Sequence, residues 1–235
     1  MSENEQKKPK LEAAFFDVDN TLVRGSTPII FGKRAFRGGA IKRRDIWSFA
    51  FEQMMFIRRG EKNNTLSSFK DRALALTKGH PIKELMDLVD EVYIKDIKPR
   101  LWPETVQAAL DHLAQGREVW LLTAAPVEIA DAIVKDLGLT GALGTIVGHK
   151  DGLLTGELVG DPLHGQAKRR GAEKLARDRG ISLQGSYAYS DSVNDLPLLS
   201  LVGHAVAVNP DSTLKRHAEA AGWEIMRFKK RDLKG

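Results

Sequence analysis

Five short apolar runs punctuate the chain: Ala13–Phe16, Val119–Thr123, Thr145–Val147, Ser186–Tyr189 and Ala205–Val208. Runs of that length, bounded by polar residues, read as buried strands. Between most of them lie stretches whose apolar residues recur at 3.6-residue spacing. "PETVQAALDHLAQG" opens on Pro and stops on Gly, which is the grammar of a helix. "PVEIADAIVKDLG" repeats that grammar, and "GQAKRRGAEKLARDRG" and "DLPLLSLVG" read the same way. Strands alternating with helices predict an α/β fold, a Rossmann-like, doubly wound parallel sheet. Such sheets bind ligands beyond the carboxyl ends of their strands. Here those ends carry polar residues: Asp17 and Asp19 after the first run, Thr123 at the second, and Asp191, Asn194 and Asp195 after the fourth.

Two segments break the alternation. Residues 24–100 read as all-helical, through "RRDIWSFAFEQMMFIRRG", "TLSSFKDRALALTKG" and "PIKELMDLVDEVYIKDI". They separate the first strand from the rest and are expected to form an inserted helical cap. "TIVGHKDGLLTGELVG" holds Asp151-Gly152 between apolar runs, the signal of a β-hairpin. The expected organisation is a disordered tail at 1–10, a core from 11–23 and 101–228, the cap at 24–100, and a basic tail at 229–235.

Composition narrows the chemistry. A chain of 235 residues with 42% hydrophobic and 29% charged residues suits one globular domain with an insert. It has no apolar run of membrane-spanning length. The polar start "MSENEQKKPK" reads as a tail, not as a signal peptide. Cysteine is absent, which excludes disulfides, thiolate catalysis and cysteine-based zinc sites, and a cytoplasmic location is expected. The six histidines show no metal-ligand spacing, so any metal is expected on oxygen ligands, as magnesium or calcium is. The net charge of +5 suits nucleic acid, a membrane surface or an anionic small substrate. The basic residues concentrate at 33–44, at Arg58 and Arg59, at Lys168–Arg170 and in the tail; the alternative is a set of solvated faces.

Asp17 and Asp19 raise the sharpest question. Two carboxylates one residue apart at the edge of a core repel, and burying them costs several kcal/mol unless something positive joins them. The pair could be a turn device, the start of a calcium loop, or a catalytic pair. A calcium loop needs Asp or Asn at its fifth position and Gly at its sixth; Thr21 and Leu22 stand there instead. Asp17 and Asp191 could share one magnesium ion if their strands are neighbours. A metal would offset the repulsion and keep Asp17 ionised as a nucleophile. A phosphoryl group in transfer wants a cation and hydrogen-bond donors, which Lys168, Thr123 and helix-start N–H groups can supply.

"FFDVDNTLV", "VWLLTAAP", "HGQAK" and "YSDSVNDLPLL" resemble the four motifs of the haloacid dehalogenase superfamily, in the expected order. The resemblance covers residues 13 to about 228. The insert after the first motif, the hairpin and the ending "AVAVNPDSTLKRHAEAAGWEIMRF" resemble its phosphoserine phosphatase-like subfamily, subfamily IB. The resemblance implies a magnesium-dependent phosphomonoester hydrolase acting on a small phosphorylated metabolite through an aspartyl phosphate. Asp17 would attack phosphorus, and Asp19 would protonate the leaving oxygen and then activate water. Thr123, Ala124 and Lys168 would hold the phosphoryl group, with Asn194 facing it or the substrate. Asp17, the Asp19 carbonyl and Asp191 would hold Mg2+, with Asp195 supporting from behind or through water. A carboxyl at the position of Asp19 marks the phosphatases of the family.

The substrate is less legible. Phosphoserine phosphatases of the subfamily carry a Glu for the substrate's amino group at a position that falls on Ser26 here, and no acidic residue lies between Asp19 and Asp45. This speaks against phosphoserine. "IWSFAFEQMMFIRRG" could face lipid, which would suit a lysophospholipid or glycerol-phosphate phosphatase with peripheral membrane contact, or it could be the cap's own core. Arg34, Arg37, Arg43 and Arg44 could bind a second anionic group or form a solvated face. The competing class is a regulatory or binding protein on the same scaffold. Nucleic-acid binding is not expected, because no helix-turn-helix, zinc or RNA-binding signature is present.

Overall fold

The computed structural model describes residues 11–37, 74, 75 and 77–229. The expected tail at 1–10, the aromatic segment "IWSFAFEQMMFIRRG", Arg43, Arg44, Arg58, Arg59 and the basic end from residue 230 lie outside the described residues.

Seven strands join in one sheet: β1 Ala13–Asp17, β2 Glu118–Pro126, β3 Gly141–Lys150, β4 Leu153–Val159, β5 Tyr187–Ser190, β6 His204–Val208 and β7 Glu224–Met226. Their order is β4-β3-β2-β1-β5-β6-β7. All neighbours pair in parallel except β3 and β4. The described helices are α1 Thr27–Arg37, α2 Ile82–Val92, α3 Pro103–Ala114, α4 Val127–Leu137, α5 Gln166–Arg179, α6 Leu196–Leu199 and α7 Ser212–Ala221. The parallel α/β architecture read from the alternation is the one observed.

β1 is wholly buried, as the apolar run Ala13–Phe16 suits a central strand, and its last residue, Asp17, is buried with it. Two apolar layers cover the sheet. One packs Phe16, Leu121, Ile129, Ile133 and Tyr189 together, and the other Phe15, Leu122, Leu198, Leu199 and Leu214. The predicted hairpin forms with Lys150 opposite Leu153, so Asp151 and Gly152 are its two-residue turn. Their φ angles of 53° and 79° are those of a type I′ turn, which explains Asp-Gly there.

Two features differ from the sequence reading. β7 is a seventh strand that three residues at the sheet edge cannot announce by periodicity. α2 runs into a π-helical turn at Tyr93–Ile97 where a plain helix is expected. The turn is tied at both sides: Tyr93 donates to Asp136 at 2.7 Å, and Asp96 accepts from Arg34.

One buried polar group links β5 to α3. His112 Nε2 lies 2.9 Å from the Tyr189 hydroxyl, while Arg117 stands 3.3 Å from Nδ1. Arginine can only donate, so Nδ1 accepts and Nε2 carries the proton. Burial and then the Arg117 charge push the imidazole down to about 4. The unfolded chain, with an ordinary value of 6.5, takes up this proton first as pH falls. Stability is therefore complete above that value and is lost between about 6.5 and 4, by roughly 2 kcal/mol after allowance for solvent screening. Urea midpoints at both ends of this window should differ less in His112→Gln than in the wild type. Equal differences would contradict the assignment.

Candidate active site

The sheet order places the site. From β1 the chain runs to β2 and β3 on one side, and later to β5, β6 and β7 on the other. β1 is thus flanked by strands reached in opposite directions, and the crevice beyond such a switch point is where ligands bind. The register sets Phe16 beside Leu121 and Tyr189, and Asp17 beside Leu122. Asp17 closes β1, Asp191 follows β5, and Thr123 stands one position past the β1–β2 pairing, so the three emerge side by side on adjacent strands. This satisfies the neighbour condition that sharing a cation between Asp17 and Asp191 requires.

Lys168 comes from the first turn of α5 and is 3% exposed. The helix starts at Gly165, whose φ of 51° and ψ of −113° suit glycine and allow the chain to turn under Asn194. Lys168 Nζ donates to Asp17 Oδ1 and, at 2.7 Å, to Asp195 Oδ2. Asp195 also accepts from the Ser190 hydroxyl at 2.8 Å. Burial works against the ammonium, but the charges of Asp17 and Asp195 outweigh it and hold its pKa above the usual lysine range. Asp195 thus faces the lysine.

Burial pushes the Asp17 carboxyl up to about 6 against the pull of Lys168. Asp191 is pushed up to about 7, by burial and then by the Asp17 charge. Both remain largely or partly ionised near neutrality, and they repel. Among the described residues, no other residue hydrogen-bonds the Asp191 side chain. Two hard, mutually repelling carboxylates are the donor set a magnesium ion suits. Among the described residues no three His, Cys, Asp or Glu side chains form a metal cage, so the remaining positions would fall to main-chain carbonyl and water.

Asp19 is held differently. Its Oδ1 accepts from both the N–H and the hydroxyl of Thr27, each at 2.7 Å. This bond caps the start of α1 and ties the loop 20–26 to the aspartate. Asn20, at φ 60°, closes that loop by accepting from Gly25 N–H at 3.1 Å. Burial raises the Asp19 pKa, with the Thr27 bonds pulling the other way. A carboxyl so placed is suited to hold a proton more readily than Asp at the surface.

Thr123 is 1% exposed, and its Oγ1 accepts from Ala125 N–H at 3.0 Å, leaving its hydroxyl proton to donate. The Ala124 carbonyl accepts from Thr145. Asn194 is exposed, and its N–H donates to Ser192 Oγ at 3.2 Å. Asp17, Lys168 and Asp195 are brought into direct contact, and Asp19, Thr123 and Asp191 border them.

Sequence reasoning missed four supports: Thr27, Thr145, Ser190 and Asp211. Thr145 joins Ala124 to the Leu163 N–H and so ties β2 to the chain leading into α5. Asp211 accepts from Val193 N–H at 2.8 Å and from the first N–H groups of α7, pinning the loop that carries Asp191. The "PDST" ahead of an amphipathic helix is a legible N-cap signal.

Residues 14–200 match the family model for haloacid dehalogenase-like hydrolases. The chain is 44% identical over 218 residues to phosphoserine phosphatase SerB1 of Mycobacterium tuberculosis, covering 92% of this chain and 71% of that one. It is 30% identical over 222 residues to a histidinol-phosphatase of Neisseria meningitidis, covering 92% and 98%. A crystal structure of a protein of unknown function from Bordetella pertussis superposes with a TM-score of 0.81 at 28% identity, over 92% of this chain and 98% of that one. The match across most of the chain, together with the fold beneath it, makes this protein a phosphatase-type member of the haloacid dehalogenase-like hydrolase family.

Proposed function

We propose that the chain hydrolyses small phosphate monoesters through a phosphorylated Asp17. The observation that carries this reading is the buried Asp17–Lys168–Asp195 chain opposite Asp191, at the switch point of the sheet. A structural ion pair would need one lysine and one carboxylate. Here three aspartates crowd one cation, and the surplus negative charge is explained by a metal and a reaction.

An Asp17 oxygen attacks phosphorus as the P–O bond to the leaving group breaks. Asp19, its proton retained by burial, delivers that proton to the departing oxygen. Asp19 then takes a proton from water as the water attacks phosphorus, which frees inorganic phosphate and returns Asp17. Lys168 neutralises phosphoryl oxygens and keeps Asp17 aimed and ionised. Thr123 donates its hydroxyl to the same oxygens, with the Ala124 main chain and the Asn194 side chain beside it. Mg2+, when bound by Asp17, Asp191 and the Asp19 carbonyl, supplies charge neutralisation at the phosphoryl group. Residues 24–100 serve as a cap that selects the substrate and limits water.

The relatives differ in the substrate they are named for, so the ester is set by this chain's own cap. Hydrolysis of an aryl phosphate, phosphoserine, histidinol phosphate and lysophosphatidate with and without Mg2+ tests the reading. Release of phosphate that requires the metal is expected for at least one ester. Absence of hydrolysis across the panel would overturn it.

A further inference from the structure

The two ends of the inserted segment meet beside the site. Val23 bridges Leu101, and Arg24 N–H donates to the Arg100 carbonyl at 2.8 Å. At this junction lies a cavity of about 350 Å3, bordered by Gly25, Ser26 and the first turns of α1. Ser26 is the neighbour of Thr27, which holds Asp19, so the cavity borders the catalytic loop itself.

Its charge is one-sided. Arg24, Lys33, Arg34 and Arg100 line it, against a single acid, Asp96. That acid is already committed: Asp96 Oδ2 accepts from Arg34 Nε at 2.7 Å and Nη2 at 2.6 Å. Among the described residues Arg100 reaches only the Asp96 main-chain carbonyl. Arg24 Nε is buried without a hydrogen-bond partner. Among the described residues neither Arg24 nor Lys33 has an ion pair. Cations gathered this way repel, and a buried Nε–H without an acceptor is costly. An oxyanion would answer both, and arginines hold carboxylate and phosphate groups through paired donors.

We propose that this cavity is a specificity pocket for a second anionic group, a carboxylate or second phosphate, on the phosphomonoester whose phosphoryl group sits on Asp17. The proposal rests on the phosphatase reading and adds the chemical class of the substrate. Arg24 and Arg100 are its principal donors, because both are left without a carboxylate. An ammonium group on the substrate would meet the same cations and be rejected.

The test compares small esters whose main difference is the charge of the distal group. The wild-type chain with Mg2+ is expected to show kcat/KM falling from 3-phosphoglycerate to glycerol 3-phosphate to phosphoethanolamine. Propane-1,3-diol bisphosphate distinguishes a phosphate-taking pocket from a carboxylate-taking one, and preference for either over glycerol 3-phosphate supports the pocket. Arg24→Gln should lower the preference for the doubly anionic ester by about tenfold, the scale of one charge-assisted hydrogen bond. Lys33→Gln, on an exposed side chain, should move it the same way by less. Calorimetric binding of the same esters to the catalytically silent Asp17→Asn chain reads the pocket independently of turnover. A failed phosphatase reading would show as no hydrolysis with the binding preference intact. Equal affinity for 3-phosphoglycerate, the bisphosphate and glycerol 3-phosphate, or an equal loss for all three in Arg24→Gln, would overturn the pocket.

Discussion

Asp17→Asn is expected to lower turnover of every phosphate ester by on the order of 10^3-fold or more while leaving the chain folded. The amide has the shape of the carboxylate but lacks a nucleophilic oxygen anion. Its oxygen can still accept from Lys168, and Lys168 keeps its second partner, Asp195, at 2.7 Å. The substitution also removes the charge that, after burial, raises Asp191. Thermal unfolding of the metal-free variant should therefore occur at or near the wild-type temperature. Lost activity accompanied by lost structure would point to a structural aspartate instead.

Lys168→Met should damage both function and fold. Lys168 is buried between two buried carboxylates, and its removal leaves both without a cation. Breaking a buried pair in this way costs about 3–5 kcal/mol. The cost depends on pH, and the sign follows from burial. With the lysine gone, the desolvation that already raises Asp17 acts unopposed. A carboxyl raised in the folded state contributes its stability below its unfolded value, here 3.8, and loses it as pH rises through the folded value. The variant should thus be least stable relative to wild type near neutrality and recover part of the deficit below about pH 5. Denaturant melts at pH 4.5 and pH 7.5 measure this directly. Lys168→Arg should not restore activity, because a forked guanidinium replaces a point charge in a closed space.

The candidate site residues were legible because their chemistry is written at strand ends. Asp17 and Asp19 follow a run too apolar to be anything but a central strand, and Asp191 follows another. Lys168 was readable only through family order, since a lone lysine in a basic helix carries no signal of burial. Thr27 and Ser190 escaped because a hydroxyl bound to a distant carboxylate has no periodicity. The π-helical turn at Tyr93–Ile97 escaped because it is tied by Asp136 and Arg34, 43 and 62 positions from their partners in the turn. The basic cavity was half visible. Arg34 stood out in a cluster, but Arg24 and Arg100 are 76 positions apart and meet through the main-chain bond between them.

The central claim is that Asp17 carries the phosphoryl group. Acid-quenched mass spectrometry of the chain during turnover of an aryl phosphate with Mg2+ tests it most directly. We predict one phosphoryl adduct, labile to hydroxylamine, on the peptide that contains Asp17, and none in Asp17→Asn. Turnover without any such adduct, together with an active Asp17→Asn chain, would contradict the account.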